Sequence, residues 1–116
     1  MKTQSAKAKG RRLAISVKEK LLQIATTLSP DDILITPSSV TGEDLKLSPK
    51  ARQAFPFVIE CKNQEKLNIW SALDQAANHA KGLSYIPVLV FSRNRSKVYI
   101  ALEFDQFLNL IGGSIK

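Results

Sequence analysis

Two carboxylates and an amine that could carry out phosphate chemistry surround an apolar run in the middle of the chain. The run ends at Glu60-Cys61-Lys62, and Asp44 lies upstream of it. If the segments next to these residues pair as an antiparallel hairpin, Asp44 and Glu60 stand opposite each other, roughly 5 Å apart. Carboxylates that close repel each other unless one is protonated or a cation lies between them.

The spacing of these residues also predicts how they share a strand. Side chains alternate along a strand, so Lys62 shares the face of Glu60 and the side chain of Cys61 points away. The Cys61 carbonyl remains available as a ligand, and oxygen ligands of this kind suit Mg²⁺ or Mn²⁺. A metal next to an ammonium can polarise a phosphodiester and activate water.

Hydrophobic spacing predicts the elements that position these groups. We expect helices over 11–28, from Ile69 to Ala80 and from Asp105 to Leu110. We expect strands over 33–36, 45–47, 57–61, 86–91 and 98–102, with a loop over 37–42 and a hairpin loop over 48–56. This order predicts one mixed α/β domain over 11–116, with a central sheet flanked by helices, after a flexible basic arm over 1–10.

Composition narrows the function. The 116 residues suit one domain, and 44% of them are hydrophobic, enough for a real core. The net charge of +7 favours an anionic partner such as nucleic acid. One cysteine and one histidine exclude a disulfide framework and a zinc site rich in these residues. No membrane-spanning run and no apolar signal core are present, so we expect an intracellular protein.

Basic residues cluster in three places that could contact DNA phosphates, with a solvated surface as the alternative in each case. The candidates are Lys7, Lys9, Arg11 and Arg12 before and within the first helix, Lys50 and Arg52 in the predicted hairpin loop, and Arg93, Arg95 and Lys97 at a later turn. For Trp70 we expect core packing, with a dimer contact or base stacking as alternatives. We expect His79 on a helix surface and Cys61 as a small buried filler.

Several of these residues also match a known pattern. They are Lys9-Gly10-Arg11-Arg12, Gly42-Glu43-Asp44, Glu60-Cys61-Lys62, Gln75 and Phe91-Ser92-Arg93-Asn94-Arg95. In this order, over nearly the whole chain, they resemble the PD-(D/E)XK nuclease superfamily, especially the small phage and archaeal Holliday junction resolvase-like endonucleases. The resemblance implies a restriction-endonuclease-like core, metal ions at Asp44 and Glu60, Lys62 as the catalytic lysine, Gln75 as a group that orients the site, and a homodimer.

The chain departs from this pattern at two points. Relatives often carry a glutamate or glutamine near the metal on the first helix, whereas this chain has Ala14 and Ile15 there. Either Glu19, the only carboxylate on that helix, reaches inward, or water completes the metal shell. Gly42-Glu43 takes the place of the usual proline before the aspartate, so we expect Glu43 either to support a metal ligand or to be an alternative ligand.

Two functions of different classes follow. The first is a Mg²⁺- or Mn²⁺-dependent DNA endonuclease, selective for branched DNA such as a four-way junction. It would act as a homodimer, in recombination, and could be phage-encoded and act in the host cytoplasm. The second is a non-catalytic DNA-binding or complex-forming protein that kept the fold. The intact Asp44, Glu60 and Lys62 set favours the enzyme.

Overall fold

The computed structural model describes residues 2–37 and 40–113. Its helices are α1 (Lys2–Ile24), α2 (Pro49–Ala54), α3 (Ile69–His79) and α4 (Phe104–Gly112), and its strands are β1 (Ile33–Ile35), β2 (Leu45–Leu47), β3 (Phe57–Asn63), β4 (Ile86–Ser92) and β5 (Tyr99–Ala101). The predicted order of these elements is confirmed, with α2 as an addition. Ser38 and Ser39 of the predicted 37–42 loop, and the end of the predicted domain at 114–116, lie outside the described residues.

The strands form a three-stranded mixed sheet and a two-stranded antiparallel pair. β3 runs parallel to β4, and β5 is antiparallel to β4 at the far edge. β1 and β2 form the pair, which the backbone of Asp44 joins to β3. The Asp44 carbonyl accepts a hydrogen bond from the Thr36 N–H, and the Asp44 N–H donates to the Ile59 carbonyl, each over 3.0 Å. This confirms a single mixed α/β domain flanked by helices.

The predicted antiparallel pairing of 45–47 with 57–59 is wrong, because the connection between them is helical. Ser48 caps α2, its hydroxyl oxygen accepting the Ala51 N–H over 3.0 Å, and Pro49 occupies the first helical turn. A helix between the strands removes the tight turn that a hairpin requires. β2 pairs instead with β1, so the opposition of Asp44 and Glu60 needs a different geometry.

The first helix is longer at its start than the sequence indicated. It begins at Lys2 and ends at Ile24, whereas we predicted a helix over 11–28. Residues 2–10 therefore belong to α1 and do not form a separate flexible arm. Lys7 and Lys9 thus have defined directions around the helix.

The two long helices pack on opposite faces of the sheet. Leu13 and Ala14 of α1 share a buried cluster with Ile59 and Cys61 of β3. α3 covers the other face with its small buried residues, Ala72 and Ala76, which let the helix approach closely. Within residues 2–37 and 40–113, no helix combines the length and the apolar character needed to cross a membrane. The division of faces decides where each side chain of β3 points.

Candidate active site

Asp44 lies at the open edge of β3 and takes part in the sheet with its side chain. Its N–H bonds the carbonyl of Ile59, and its Oδ2 accepts the Cys61 N–H over 2.6 Å. These two bonds bracket Glu60 in the pattern of a parallel ladder, with the carboxylate in place of the main-chain carbonyl. Asp44 therefore ends the ladder, and its Oδ1 is not used by this bond.

A glycine turn delivers Asp44 to this position. Gly42 has a φ of +121°, a backbone conformation that L side chains rarely adopt. The next residue, Glu43, pairs with Arg52, and Asp44 then enters the edge of the sheet. This turn stands where relatives have proline. It sets the direction in which the chain enters the sheet at Asp44, because glycine can adopt a positive φ.

Glu60 is the most deeply placed of the three predicted catalytic groups. It is only 1% exposed and points to the α3 face of β3. Its Oε2 contacts Nδ1 of His79, near the end of α3. We expected His79 on a helix surface, and this prediction is wrong. The available signal was the helical spacing of residues 72, 76 and 79, which puts His79 on the inward stripe of α3.

Asp44 and Glu60 each carry a carboxyl whose charge the protein disfavours. Burial raises the pKa of Asp44, opposed by the Cys61 N–H and by the charges of Lys62 and His79. Burial, and then the charge of Asp44, raise the pKa of Glu60, opposed by His79 and Lys62. The charge of Asp44 thus disfavours the charged form of Glu60, and a cation between the two carboxylates would relieve both desolvation and repulsion.

Lys62 and Asp44 meet at a cleft of about 420 Å³ along the open edge of β3. We call it the edge cleft. Besides these two residues, it is lined by the end of β1, by residues 61–64, and by Lys7, Gly10 and Arg11 of α1. Glu60 lies beneath the cleft and does not line it. The structure thus brings Asp44 and Lys62 to one opening, with Glu60 as a buried neighbour of both.

Cys61 contributes its main chain to this edge. Its N–H points to Asp44, and the N–H and carbonyl of one residue in a strand point to the same side. The Cys61 carbonyl therefore faces the opening, where a Cβ built on Gly10 would lie 3.9 Å from it. Burial raises the pKa of the Cys61 thiol, so the sulfur is not a nucleophile.

The two further carboxylates that we considered as ligands do not reach the edge cleft. Glu19 is exposed and lies about 140° around the helix axis from Ala14, which lines the cleft. Glu43 is bound to Arg52, its Oε1 accepting a hydrogen bond over 2.7 Å. Among the described residues, no cluster of three or more His, Cys, Asp or Glu side chains suits a metal. The cleft itself offers the Asp44 carboxylate and the Cys61 carbonyl, and the Glu60 carboxylate is buried next to them.

A comparison with models of protein families identifies the family of the chain. Residues 7–113 match the model of the family described as "Phage putative PDDEXK endonuclease". The chain belongs to this family. The match confirms the resemblance to the PD-(D/E)XK superfamily, whose nucleases generally use divalent metal ions, and an endonuclease family implies DNA as the substrate. Neither the curated proteins nor the solved structures gave a significant match.

Gln75, a residue of the superfamily pattern, lies on α3. It precedes His79 by one turn, about 40° around the helix axis. Its side chain is exposed, whereas that of His79 is partly buried against Glu60. Of the two, His79 makes the direct contact with the site.

Basic residues line the cleft from two sides. Lys7 and Arg11 are exposed and border it directly, and Arg12 is exposed next to them on α1. On the other side, Gln64 borders both the edge cleft and a second groove that holds Arg93. Of the other predicted basic contacts, Lys9 is half-buried on α1, and Arg95 and Lys97 are exposed near Arg93. Positive charge therefore flanks the carboxylates on both sides.

The predicted DNA contacts on α2 have other partners. Arg52 donates to the Phe57 carbonyl over 2.5 Å and to Glu43, and its guanidinium lies 4.4 Å from the ring centroid of Tyr85. Only 12% of its side chain is exposed. Lys50 donates to the Thr27 carbonyl over 2.8 Å. Both side chains hold elements of the fold together and neither lines the edge cleft, and their contact with DNA stays a prediction.

Trp70 is not a core residue, contrary to our expectation. It lies in the first turn of α3 and is 79% exposed. An exposed tryptophan of this kind leaves base stacking or a partner contact as its roles.

Proposed function

We propose that this chain is a metal-dependent DNA endonuclease that resolves four-way junctions. The observation that carries the proposal is the pair formed by the half-buried Asp44 and the buried Glu60 at the open edge of β3, next to Lys62 and a cleft bordered by basic residues. Like charges that are removed from water lower the stability of the fold, and a divalent cation bound between them would relieve this cost. A role in DNA recombination follows from such an activity.

The residues present fit Mg²⁺ or Mn²⁺. Asp44 Oδ1, Glu60 and the Cys61 carbonyl would hold the ion, with water completing the shell because Glu19 and Glu43 point elsewhere. All of these donors are oxygens, which hard cations prefer. When bound, the ion would lower the pKa of a water molecule and polarise the phosphate.

The chain's own groups have separate tasks in this proposal. Lys62, at the cleft, contacts the scissile phosphate and stabilises the charge that develops on its oxygens. The Cys61 N–H fixes the Asp44 carboxylate through Oδ2. His79 holds one oxygen of Glu60 from behind, so the orientation of that carboxylate depends on α3.

The charges around the edge cleft support a path for the DNA backbone. Lys7 and Arg11 border the cleft on one side, and the Arg93 turn lies beyond Gln64 on the other. Glu65 anchors that turn by accepting the Asn94 N–H over 2.5 Å. These side chains would bind phosphates without reading sequence, which suits an enzyme that recognises DNA shape.

Symmetry supports a homodimer as the acting form. A four-way junction has near two-fold symmetry, and its resolution needs one cut in each of two opposed strands. One chain has one such site, whereas a C₂ dimer has two sites related like the two cuts. A dimer of this kind accounts for paired cleavage in one encounter.

Cleavage of synthetic DNA tests the proposal. A four-way junction, a fork and a linear duplex of matched sequence are incubated with the protein in Mg²⁺, Mn²⁺ or EDTA. We expect paired, symmetric nicks in the junction, little product from the duplex and none in EDTA. Equal nicking of all substrates would leave a general nuclease. Binding of DNA without cleavage in either metal would support the alternative, a non-catalytic protein that kept the fold.

A further inference from the structure

A row of side chains crosses the sheet from the edge cleft toward the second groove. In register, Lys62 of β3 lies beside Phe91 of β4, and Phe91 lies opposite Tyr99 of β5. Neighbours in register point to the same face of a sheet, and Lys62 shares the face of Glu60, which contacts α3 through His79. The side chains of the row therefore lie on the α3 face.

This row sets the distance between the two openings. Neighbouring strands lie about 4.8 Å apart, so the main chains of Lys62 and Tyr99 are separated by roughly 10 Å. Each nucleotide of a stacked strand advances by about 3.4 Å along the helix axis. A base beside Tyr99 would therefore belong within a few nucleotides of a phosphate held at Lys62.

Aromatic rings form part of the second groove, which encloses about 320 Å³ and which we call the aromatic groove. Phe91 and Tyr99 line it, with their ring centroids 6.0 Å apart and their planes inclined by 33°. Ile69, at the start of α3, adds apolar lining. Tyr99 is 55% exposed, so its ring is open to contact with a ligand.

Positive charge lies next to these rings. Arg93 lines the aromatic groove, and Arg95 and Lys97 are exposed in the residues that follow it. Glu65 also lines the groove, but its Oε2 accepts the Asn94 N–H over 2.5 Å. The groove thus combines aromatic rings with basic side chains, as do sites that bind single-stranded nucleic acid.

Two contacts hold the turn that carries Arg93. The bond from Asn94 to Glu65 ties it to the loop after β3, and the hydroxyl of the buried Ser92 lies 3.2 Å from the Lys97 carbonyl. Because the turn is tied at both ends, binding a ligand beside Arg93 requires little ordering of the main chain. The basic side of the groove is therefore formed in advance.

The aromatic groove suits one base. Its volume is at the lower end of the range for pockets that take small molecules, roughly 300–1,000 Å³. In a duplex the neighbouring bases cover both faces of each base, so Tyr99 could stack only on a base that has left its pair. The basic residues nearby favour a nucleotide over an apolar peptide, because they would bind the phosphates on either side of that base.

We propose that the aromatic groove binds an unpaired base of the DNA strand whose scissile phosphate lies at Lys62. Gln64 borders both openings and marks where the strand passes from one to the other. Tyr99 stacks on the base, and Arg93 contacts its phosphate. This inference rests on the proposed endonuclease and narrows its substrate to branched DNA with an unpaired nucleotide close to the cleavage position.

Fluorescence of 2-aminopurine tests the proposal, because this base analogue is quenched when it stacks on an aromatic ring. One four-way junction carries a single unpaired 2-aminopurine at the branch point, and a second junction is fully paired. Both are titrated with the full chain in EDTA, so that binding is measured without cleavage. We expect quenching of the unpaired base and at least about tenfold tighter binding of the first junction.

Variants of Tyr99 assign the effect to the aromatic groove. Tyr99→Leu should abolish both the quenching and the preference for the unpaired base, whereas Tyr99→Phe, which keeps the ring, should retain both. Phe104→Leu removes an aromatic side chain that is 69% exposed and does not line the groove. It is the matched control and should behave like wild type. Circular dichroism verifies that each variant folds.

The groove and the proposed activity can fail separately. Wild-type protein that leaves the unpaired base unquenched would overturn the inference whatever the variants do, and so would Tyr99→Leu that quenches as well as wild type. Cleavage of both junctions is measured separately in Mg²⁺ and Mn²⁺. Cleavage without Tyr99-dependent quenching would refute the groove alone, whereas Tyr99-dependent quenching without cleavage in either metal would refute the endonuclease alone.

Discussion

The edge cleft beside β3 and residues 98–108 at the β5 end of the strand order differ in the kind of side chain that they expose. The cleft is lined by the half-buried Asp44, by Lys62 and by exposed basic residues, with the buried Glu60 next to it, whereas residues 98–108 expose six large hydrophobic side chains and include no lysine or arginine. Charge that is partly removed from water favours a bound cation, and exposed apolar side chains favour contact with another apolar surface. Each region therefore suits a different kind of partner.

The largest effect should come from removing chemistry at the cleft. We expect Glu60→Gln and Lys62→Ala each to reduce junction cleavage by at least about 10³-fold, because a metal ligand and a phosphate-stabilising charge are lost. Binding to the junction, measured by fluorescence anisotropy, should persist. Lys81→Ala, which removes an exposed lysine outside the cleft, is the control and should leave junction cleavage unchanged. Wild-type cleavage by either cleft variant would refute its assignment.

A smaller effect separates a structural arginine from the DNA-binding ones. Arg52→Ala should lower the free energy of unfolding by about 2 kcal/mol, because the Phe57 carbonyl and Glu43 lose their donor and Tyr85 its cation. Urea denaturation measures this change. At a temperature where the variant is folded, its DNA affinity should equal that of wild type. A loss of affinity with intact stability would return Arg52 to the DNA contacts.

DNA affinity should respond to the arginines at the cleft. Arg11→Ala/Arg12→Ala should weaken binding to junction and duplex about equally, by roughly tenfold at physiological salt, and flatten the salt dependence by about two phosphate contacts. Lys18→Ala/Lys20→Ala removes two charges further along the same helix and is the matched control. An equal loss in both variants would mean that only net charge matters and that the cleft is not the path of the DNA.

The smallest effect concerns stability and pH. The pKa values of Asp44 and Glu60 are raised in the folded protein, so each residue stabilises the fold when it is protonated. This stability is lost as the pH rises from about 4, the ordinary carboxyl range, through the raised pKa values. Asp44→Asn keeps an acceptor for the Cys61 N–H and removes the charge. In EDTA its melting temperature should therefore exceed that of wild type by a few degrees at neutral pH. The difference should shrink toward acid pH, and a variant less stable than wild type throughout would contradict the sign.

Local patterns in the sequence predicted the elements and the chemistry, while tertiary contacts decided the geometry. The alternation of side chains along β3 correctly placed the Cys61 side chain on the opposite face from that of Glu60, because the period of a strand is intrinsic to the backbone. The pairing of β2 depended on the presence of α2, a six-residue helix. Its Ser48-Pro49 start is equally typical of a turn. The side chain of Asp44 replaces a ladder carbonyl, an arrangement that no spacing rule specifies.

The contacts that were not predicted join side chains that are distant in sequence. His79 contacts Glu60 across nineteen positions, and Arg52 contacts Tyr85 across the fold. Nothing in the sequence favoured these partners over solvent, because basic residues on helices are usually exposed. Glu19 was considered as a ligand because it is the only carboxylate on the first helix, and its side chain is exposed.

Calorimetric titration with Mn²⁺ tests the central claim most directly, because it separates metal binding at the edge cleft from catalysis. Wild type should bind Mn²⁺, and Asp44→Asn should bind it at least about tenfold more weakly, since one of the two carboxylate ligands loses its charge. Lys62→Ala should bind it as well as wild type or better, because the lysine is not a ligand and its charge opposes a cation. This pattern, with cleavage lost in both variants, is the result that the account predicts. Equal Mn²⁺ binding by wild type and Asp44→Asn, or no binding by wild type, would contradict it.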